Sequence, residues 1–478
     1  MTMVFLSIPT KKRLFWCTAS LLQLCILLFV YKRQKEGHNG QHNGVDPLQE
    51  QQQQRNDVNA WSSPSSSSPP VISFSVGRHH EMFPVHNSTL NQVQVQTTKP
   101  VRQKYSPPSR YPFVDYNTAD RLSRVFPIFP HKFPCFPAEH DWQDVGVQRR
   151  PTQRGFFYFK ARKAGSSTLA GVALRIAQKQ FKRLQQDNAQ HTDDEIDKDA
   201  PHHCHTRYGH PPAHRLKYFQ RIRAESFLWS VIREPTSRQL SEFFHFRVSR
   251  SKFEPTRQAL KDYVAETDMV HSYYLQFMST EKPFTLPVDE GGDNNNNNST
   301  NRAINDAAVT KAVRRVLRDY DFIGVSERML ESLVCLQLIL DLPTSDLLFL
   351  RAKTQGGFDD GVHMDRCWYI QPSYQSPAML EYLQSESWQR FVHADNLLYV
   401  SVQKSLDKTI AVLGKERVEQ NVQKLEKALE AVQARCGRDV VFPCSSGGKL
   451  QADNDCLLWD SGCGYDCIDR VVAELGLE

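Results

Sequence analysis
The chain has 478 residues, 40% of them hydrophobic and 23% charged, with a formal net charge of +6 spread along its length. That is enough apolar material for one large or two medium domains, and too long a chain for a mini-protein held by disulfides alone. A single uninterrupted apolar run excludes a multi-span membrane protein. The mild, diffuse basic excess makes no nucleic-acid surface, and fits a site for anionic ligands equally well.

The apolar run is residues 14–31, LFWCTASLLQLCILLFVY, set between Lys11, Lys12, Arg13 and Lys32, Arg33, Lys35. Eighteen residues at about 1.5 Å each span roughly 27 Å, the depth of a bilayer core. No small-residue cleavage site follows, so the sequence predicts an uncleaved signal anchor behind a cytosolic tail, residues 1–13. Basic residues balance across it, so charge alone does not orient it. Sequons at Asn87, Asn297 and Asn298 and the nine cysteines beyond the anchor favour a luminal body. Residues 32–130 read as an extended stem, because their glutamine and serine–proline tracts bury too little apolar area to offset chain entropy. A second polar tract, residues 289–301 (DEGGDNNNNNSTN), reads as a surface insert.

Gly155–Lys160 (GFFYFK) suits a buried strand, and beyond it Leu169, Val172, Ala173, Ile176 and Ala177 recur on one helical face. Between them lies KAGSST, Lys163–Thr168. A strand, a small-residue loop with a lysine and a helix N-terminus together make an anion site. The nucleotide-triphosphatase loop has its lysine after the second glycine, whereas Lys163 precedes Gly165. Taken alone, the loop is equally an ordinary strand-to-helix turn. A second segment has the same plan: Phe227–Ile232 is a predicted strand, Arg233 ends it and Pro235 opens a helix that carries Ser241. A guanidinium and a hydroxyl so placed can meet on one phosphate. The plain alternatives are a surface ion pair for Arg233 and a structural ion pair for Arg238.

Together, K-x-G-S-S-T and R-x-P-x-x-R-x-x-S, some seventy residues apart, resemble the two nucleotide segments of the phosphoadenosine-phosphosulfate-dependent sulfotransferases, particularly the Golgi membrane carbohydrate enzymes. Residues 321–340 and 405–414 look like that family too, so the resemblance runs from Phe156 to Gly414. It implies an α/β, P-loop-like sulfotransferase fold: a central, mainly parallel sheet flanked by helices, spanning residues 150–415. It also implies transfer of a sulfuryl group from 3′-phosphoadenosine 5′-phosphosulfate to a glycan hydroxyl, with no metal. In that scheme Lys163 stabilises the bridging oxygen, Gly165, Ser166, Ser167 and Thr168 hold the 5′ group, and Arg233 and Ser241 hold the 3′-phosphate. The protein is then a single-pass type II Golgi membrane protein with its catalytic body in the lumen. Its partners are a glycan acceptor, such as a sulfated polysaccharide or glycoprotein, and the membrane, not nucleic acid; a homodimer is compatible with this. For the base, Gly209-His210 resembles the heparan-type enzymes and His205-Thr-Arg207-Tyr208 the galactose-type, so both histidines stand as candidates. A metal cluster at His202, His203, Cys204 and His205 is the rival reading of that loop.

Leu347–Leu350 reads as a further strand before a glycine-rich loop, Lys353–Cys367, in which no site residue is named. The C-terminal part, residues 416–478, is a predicted cap. Val418, Val422, Leu425, Leu429 and Val432 mark an amphipathic helix of about five turns. Cys436, Cys444, Cys456, Cys463 and Cys467 follow at gaps of seven, eleven, six and three residues, which suit disulfides better than a zinc knuckle. Nine cysteines beyond the anchor leave at least one without an intramolecular partner. Two other classes remain open from sequence: an ATP-dependent kinase with an atypical phosphate loop, and a non-catalytic glycan-binding membrane protein.

Overall fold
Four short runs rich in aromatic and β-branched residues form a parallel sheet in the computed structural model of the chain: β1 (Gly155–Phe159), β2 (Thr206–Gly209), β3 (Ser226–Ile232) and β4 (Phe322–Val325). The structure describes residues 103–129, 133–137, 154–190, 202–204, 206–266, 272–281, 284, 306–351, 356–359, 366–457 and 462–477. The expected cytosolic tail, the anchor at 14–31, most of the stem, the sequons, the insert at 289–301 and His205 lie outside the described residues. Among the described residues no helix is long and apolar enough to cross a membrane.

The strand order is β2-β1-β3-β4 and every pairing is parallel. β1, β3 and β4 are buried at every residue, as strands covered on both faces must be. Trp229 of β3 packs between Phe156 and Tyr158 of β1, with ring centroids 5.5 and 4.4 Å away. The register aligns the strand ends: Phe159 stands opposite Gly209 on one side and Ser230 on the other, and Ile232 opposite Val325. The chain moves from β1 to β2 and then crosses back to β3 on the other side of β1. That reversal opens a crevice at the carboxyl ends of β1 and β3, the place where open α/β sheets bind ligands.

The helices, in chain order, are α1 (Tyr116–Leu122), α2 (Ser166–Gln190), α3 (Pro235–Phe243), α4 (Arg257–Glu266), α5 (Tyr273–Met278), α6 (Asp306–Asp319), α7 (Met329–Leu340), α8 (Pro377–Gln384), α9 (Glu386–Phe391), α10 (His393–Leu413), α11 (Lys415–Asp439) and α12 (Tyr465–Leu475). α3 starts on Pro235, as expected, and runs into a π-helical turn, Phe244–Arg250. That turn, α3, α4, α8 and α9 share a satellite core around Phe243, Phe244, Tyr263 and Trp388. α7 is buried almost all round: it packs on β4 on one side and on α11 on the other.

Three expectations change. Part of the stretch read as stem is folded: Tyr111, Val114, Ala119, Leu122 and Phe126 are buried, and Phe126 N–H donates to Thr409 Oγ1 of α10 at 2.9 Å. The polar tracts before residue 100 diluted this short apolar signal. Leu347–Leu350 is no strand; a 3-10 turn at Thr344–Leu347 follows Pro343 and leads into extended chain, buried but outside the sheet. α11 is longer than five turns, at 25 residues, because polar residues continue the helix beyond the apolar stripe that marked it. It packs on the domain through Val418, Leu425, Leu429 and Val432, as its spacing predicted.

The cysteines pair Cys135–Cys204, Cys367–Cys444, Cys436–Cys467 and Cys456–Cys463, leaving Cys335 buried in α7 as the odd thiol. Burial pushes that thiol up to about 12, which keeps it protonated and inert.

Gly324 is where α7 meets β4 most closely. A β-carbon there would sit 2.7 Å from Ser332 Cβ and 3.1 Å from Val231 Cγ2. Ser332 Oγ also accepts Val325 N–H at 2.8 Å and donates to Val325 O, so it has no freedom to withdraw. Gly324→Ala is expected to cost about 1–3 kcal/mol, the usual range for overpacking, read as a lower melting temperature.

Candidate active site
Each of the four strands delivers one ionisable group to the carboxyl end of the sheet. β1 leads to Lys163, β2 to His210, β3 to Arg233 and β4, through the 3-10 turn Ser326–Arg328, to Glu327. The alignment of strand ends brings these segments into one neighbourhood although they span 165 positions of sequence (163 to 327).

The loop after β1 has an unusual backbone. Lys163 (φ 59°) and Gly165 (φ 78°) both lie in the left-handed region, with Ala164 at negative φ between them. Such alternation turns successive N–H groups toward one side, a concavity suited to anions. A lysine gains nothing from positive φ and is held there against its preference. Gly165 has a second reason to be glycine: a β-carbon would approach Met329 Cε to 2.8 Å. Leu169 N–H donates to Gly165 O as the first bond of α2, so the amides of Ser166, Ser167 and Thr168 precede the helical ladder. No acidic residue lies in this first turn, and the helix dipole there favours an anion.

The helix after β3 is the opposite case. Glu234 caps α3, its carboxylate accepting Thr236 N–H at 3.1 Å and Ser237 N–H at 2.6 Å, so that N-terminus is closed by the protein's own anion. What this segment offers a ligand is the side chain of Arg233, with 30% of its surface exposed. Its Nη1 donates to Lys163 O at 3.3 Å, and its Nε lies 3.9 Å from Glu327 Oε1. Glu327 is itself fixed, accepting Glu234 N–H at 3.0 Å and the Tyr399 hydroxyl at 3.2 Å. Ser241 lies two turns farther along α3 and is almost wholly buried, much less open than Arg233. Arg238 is structural: it pairs with Glu242 inside the protein and lies over the Tyr273 ring.

His210 follows β2 at the same end of the sheet. Its Nδ1 is 2.7 Å from Lys160 O. A carbonyl oxygen can only accept, so Nδ1 carries a proton, and in the neutral ring the lone pair is then on Nε2, the tautomer a base needs. His205 lies outside the described residues; its neighbour Thr206 pairs with Phe156, at the end of β2 away from His210. The metal reading of the histidine loop loses a ligand, because the Cys204 sulfur is bonded to Cys135. Among the described residues no group of His, Cys, Asp and Glu is arranged to hold a metal ion.

Burial pushes the Lys163 ammonium down to about 8, with Arg250 and Arg233 acting in the same direction and Asp359 and Glu242 opposing. Asp359 belongs to the loop in which the sequence singled out nothing. It sits in a two-residue ladder, Phe358–Asp359 against Trp368–Tyr369, and Cys367 beside that ladder is bonded to Cys444 of the cap. An acidic residue in GGFDDG was the only available signal. Glu327, Tyr273 and Tyr274 were missed as well, since nothing in their local sequence distinguishes them from core or surface residues.

Residues 150–356 match the family model described as the sulfotransferase family. No curated protein and no solved structure matches the chain. The match covers the Lys163 loop, the His210 segment, Arg233 and Glu327, and ends at the ladder that carries Asp359.

A buried ammonium costs stability wherever the folded protein must keep it charged. The folded value, about 8, lies below the ordinary 10.5, so the unfolded chain holds more protons between them and stability rises with pH across that window. Lys163→Met is expected to raise the melting temperature at pH 7, with the gain complete below pH 8 and fading toward pH 10.5. A melting-temperature series against pH for both proteins reads it.

Proposed function
We propose that the protein transfers a sulfuryl group from 3′-phosphoadenosine 5′-phosphosulfate to a hydroxyl of a glycan, as a type II membrane protein of the Golgi with its body in the lumen. The observation that carries the reading is the hydrogen bond from Arg233 to Lys163 O, which joins the two nucleotide segments into one crevice. Lys163, Gly165, Ser166, Ser167 and Thr168 face the 5′-phosphosulfate in this scheme, and Arg233 with Ser241 the 3′-phosphate. The four disulfides support an oxidising compartment.

The acceptor oxygen forms a new bond to sulfur as the bond from sulfur to the 5′-phosphate oxygen breaks. That oxygen keeps the electron pair, and the Lys163 ammonium neutralises its charge. The acceptor's proton passes to His210 Nε2, the ring nitrogen that can accept one when Nδ1 donates to Lys160 O. The sulfotransferase family supports the sulfuryl chemistry, and with it the donor; the glycan acceptor rests on the resemblance to the carbohydrate enzymes.

Adenosine 3′,5′-bisphosphate is expected to raise the melting temperature, and a concentration a hundred times the dissociation constant adds about 2.7 kcal/mol to the folded state. The shift is lost in Arg233→Ala. A shift with ATP and magnesium alone would replace this reading with a kinase, and no shift with either would favour a non-catalytic glycan binder. In a transfer assay with a sulfate-accepting glycan, Lys163→Ala is expected to lose about 100-fold or more. His210→Ala is expected to lose roughly 100- to 10,000-fold while His205→Ala stays near wild type; the reverse order would move the base to His205.

A further inference from the structure
The two segments that form the crevice hang from two neighbouring tyrosines. Tyr273 and Tyr274 are the first residues of α5, so their side chains leave the helix about 100° apart and reach different targets. The Tyr273 hydroxyl oxygen accepts Arg162 N–H at 2.8 Å, one residue before Lys163. The Tyr274 hydroxyl accepts Arg233 N–H at 2.8 Å and donates to Arg233 O at 2.7 Å. Arg233 lies just past Ile232, the last residue of β3 paired with β4, and a buried main chain beyond the ladder needs partners of another kind. Tyr274 supplies both.

The tyrosines are themselves fixed. Their side chains are buried, at 2% and 0% exposure. Asp395 of α10 accepts their backbone N–H groups at 2.9 and 3.0 Å and the hydroxyl of the capping Ser272. The Arg238 guanidinium lies 3.9 Å from the Tyr273 ring centroid. A single buried carboxylate on α10 therefore sets the start of α5, and α5 sets both loops.

We propose that Tyr273 and Tyr274 are positioning residues for the two halves of the donor site, Tyr273 fixing the Lys163 loop and Tyr274 fixing Arg233, with Asp395 keeping both in step. This rests on reading the crevice as the donor site. Lys163 touches the reacting bond in that reading and Arg233 the remote 3′-phosphate, so the two tyrosines act on different kinetic quantities. Small displacements at a reacting centre cost rate, whereas loss of a remote contact costs affinity.

The test uses the full chain with Tyr273→Phe and Tyr274→Phe, which keep ring and packing and remove only the hydroxyl. Tyr273→Phe is expected to lower kcat about tenfold with the bisphosphate dissociation constant within about twofold of wild type. Tyr274→Phe, which removes both contacts to the Arg233 backbone, is expected to raise that dissociation constant, and the donor KM, about tenfold with little change in kcat. Amide hydrogen exchange gives a reading independent of any ligand: Arg162 N–H loses protection only in Tyr273→Phe, and Arg233 N–H only in Tyr274→Phe. Asp395→Asn, which keeps the shape and lowers the charge, is expected to loosen both amides. Variants that lose melting temperature alone, or that move kcat and affinity in parallel, would overturn the proposal. If the exchange pattern splits as expected but wild-type protein does not bind the bisphosphate, the tethers stand and the donor-site reading falls.

Discussion
The parallel register of β2-β1-β3-β4 is the constraint on which the site depends. Because Phe159 is level with Gly209 and Ser230, and Ile232 with Val325, the chain leaves all four strands at one edge of the molecule. A one-residue slip of a strand would exchange the side chains packed on its two faces and carry its terminal residue away from the others. Burial of every residue in three of the strands makes such a slip prohibitive. The chemistry is thus placed by packing: Trp229 locked between Phe156 and Tyr158 does as much to bring Arg233 to Lys163 as any contact those two residues make.

Around the crevice the protein distributes its own charges unequally. The N-terminus of α2 is left open, and that of α3 is filled by Glu234. Lys163 is held in a strained conformation and partly stripped of water, and Arg233 is steadied by Glu327 without being covered by it. One open helix end and two cations thus stand together at the end of the sheet, a combination that favours an anion over a cation. The strain and desolvation at Lys163 are what the surrounding core sustains for the sake of that combination.

The segments that sequence identified are those with a strong local pattern. GFFYFK before KAGSST and SFLWSVI before REP carry hydrophobic runs broken by small residues and proline, so strand, loop and helix were all legible within a residue or two. The cap helix was legible in position but not in length, since its apolar stripe runs only from Val418 to Val432 and polar residues extend the helix beyond it. What was not legible depends on contacts between distant residues. Leu347–Leu350 has a strand's composition, but no neighbouring edge receives it. The folded part of the stem is recognisable only by where Phe126 lands on α10. Asp359, Glu327 and the α5 tyrosines matter through partners far along the chain, Asp395 being 122 residues from Tyr273 and Lys163 farther still from Asp359, and no local pattern records such a partner.

The burial of α7 on two sides has a consequence for the autonomy of the domain. The stretch that matches the family ends at residue 356, yet α7 within it needs α11, which begins at Lys415, to cover its outer side. Cys436–Cys467 clamps α11 to α12, and Cys367–Cys444 joins that cap to the second strand of the Asp359 ladder, next to Trp368. The region that carries the chemistry is therefore not a unit of folding. It acquires a solvent-compatible surface only when the last sixty or so residues arrive, so a chain still being synthesised holds its complete set of site residues before it can hold them still.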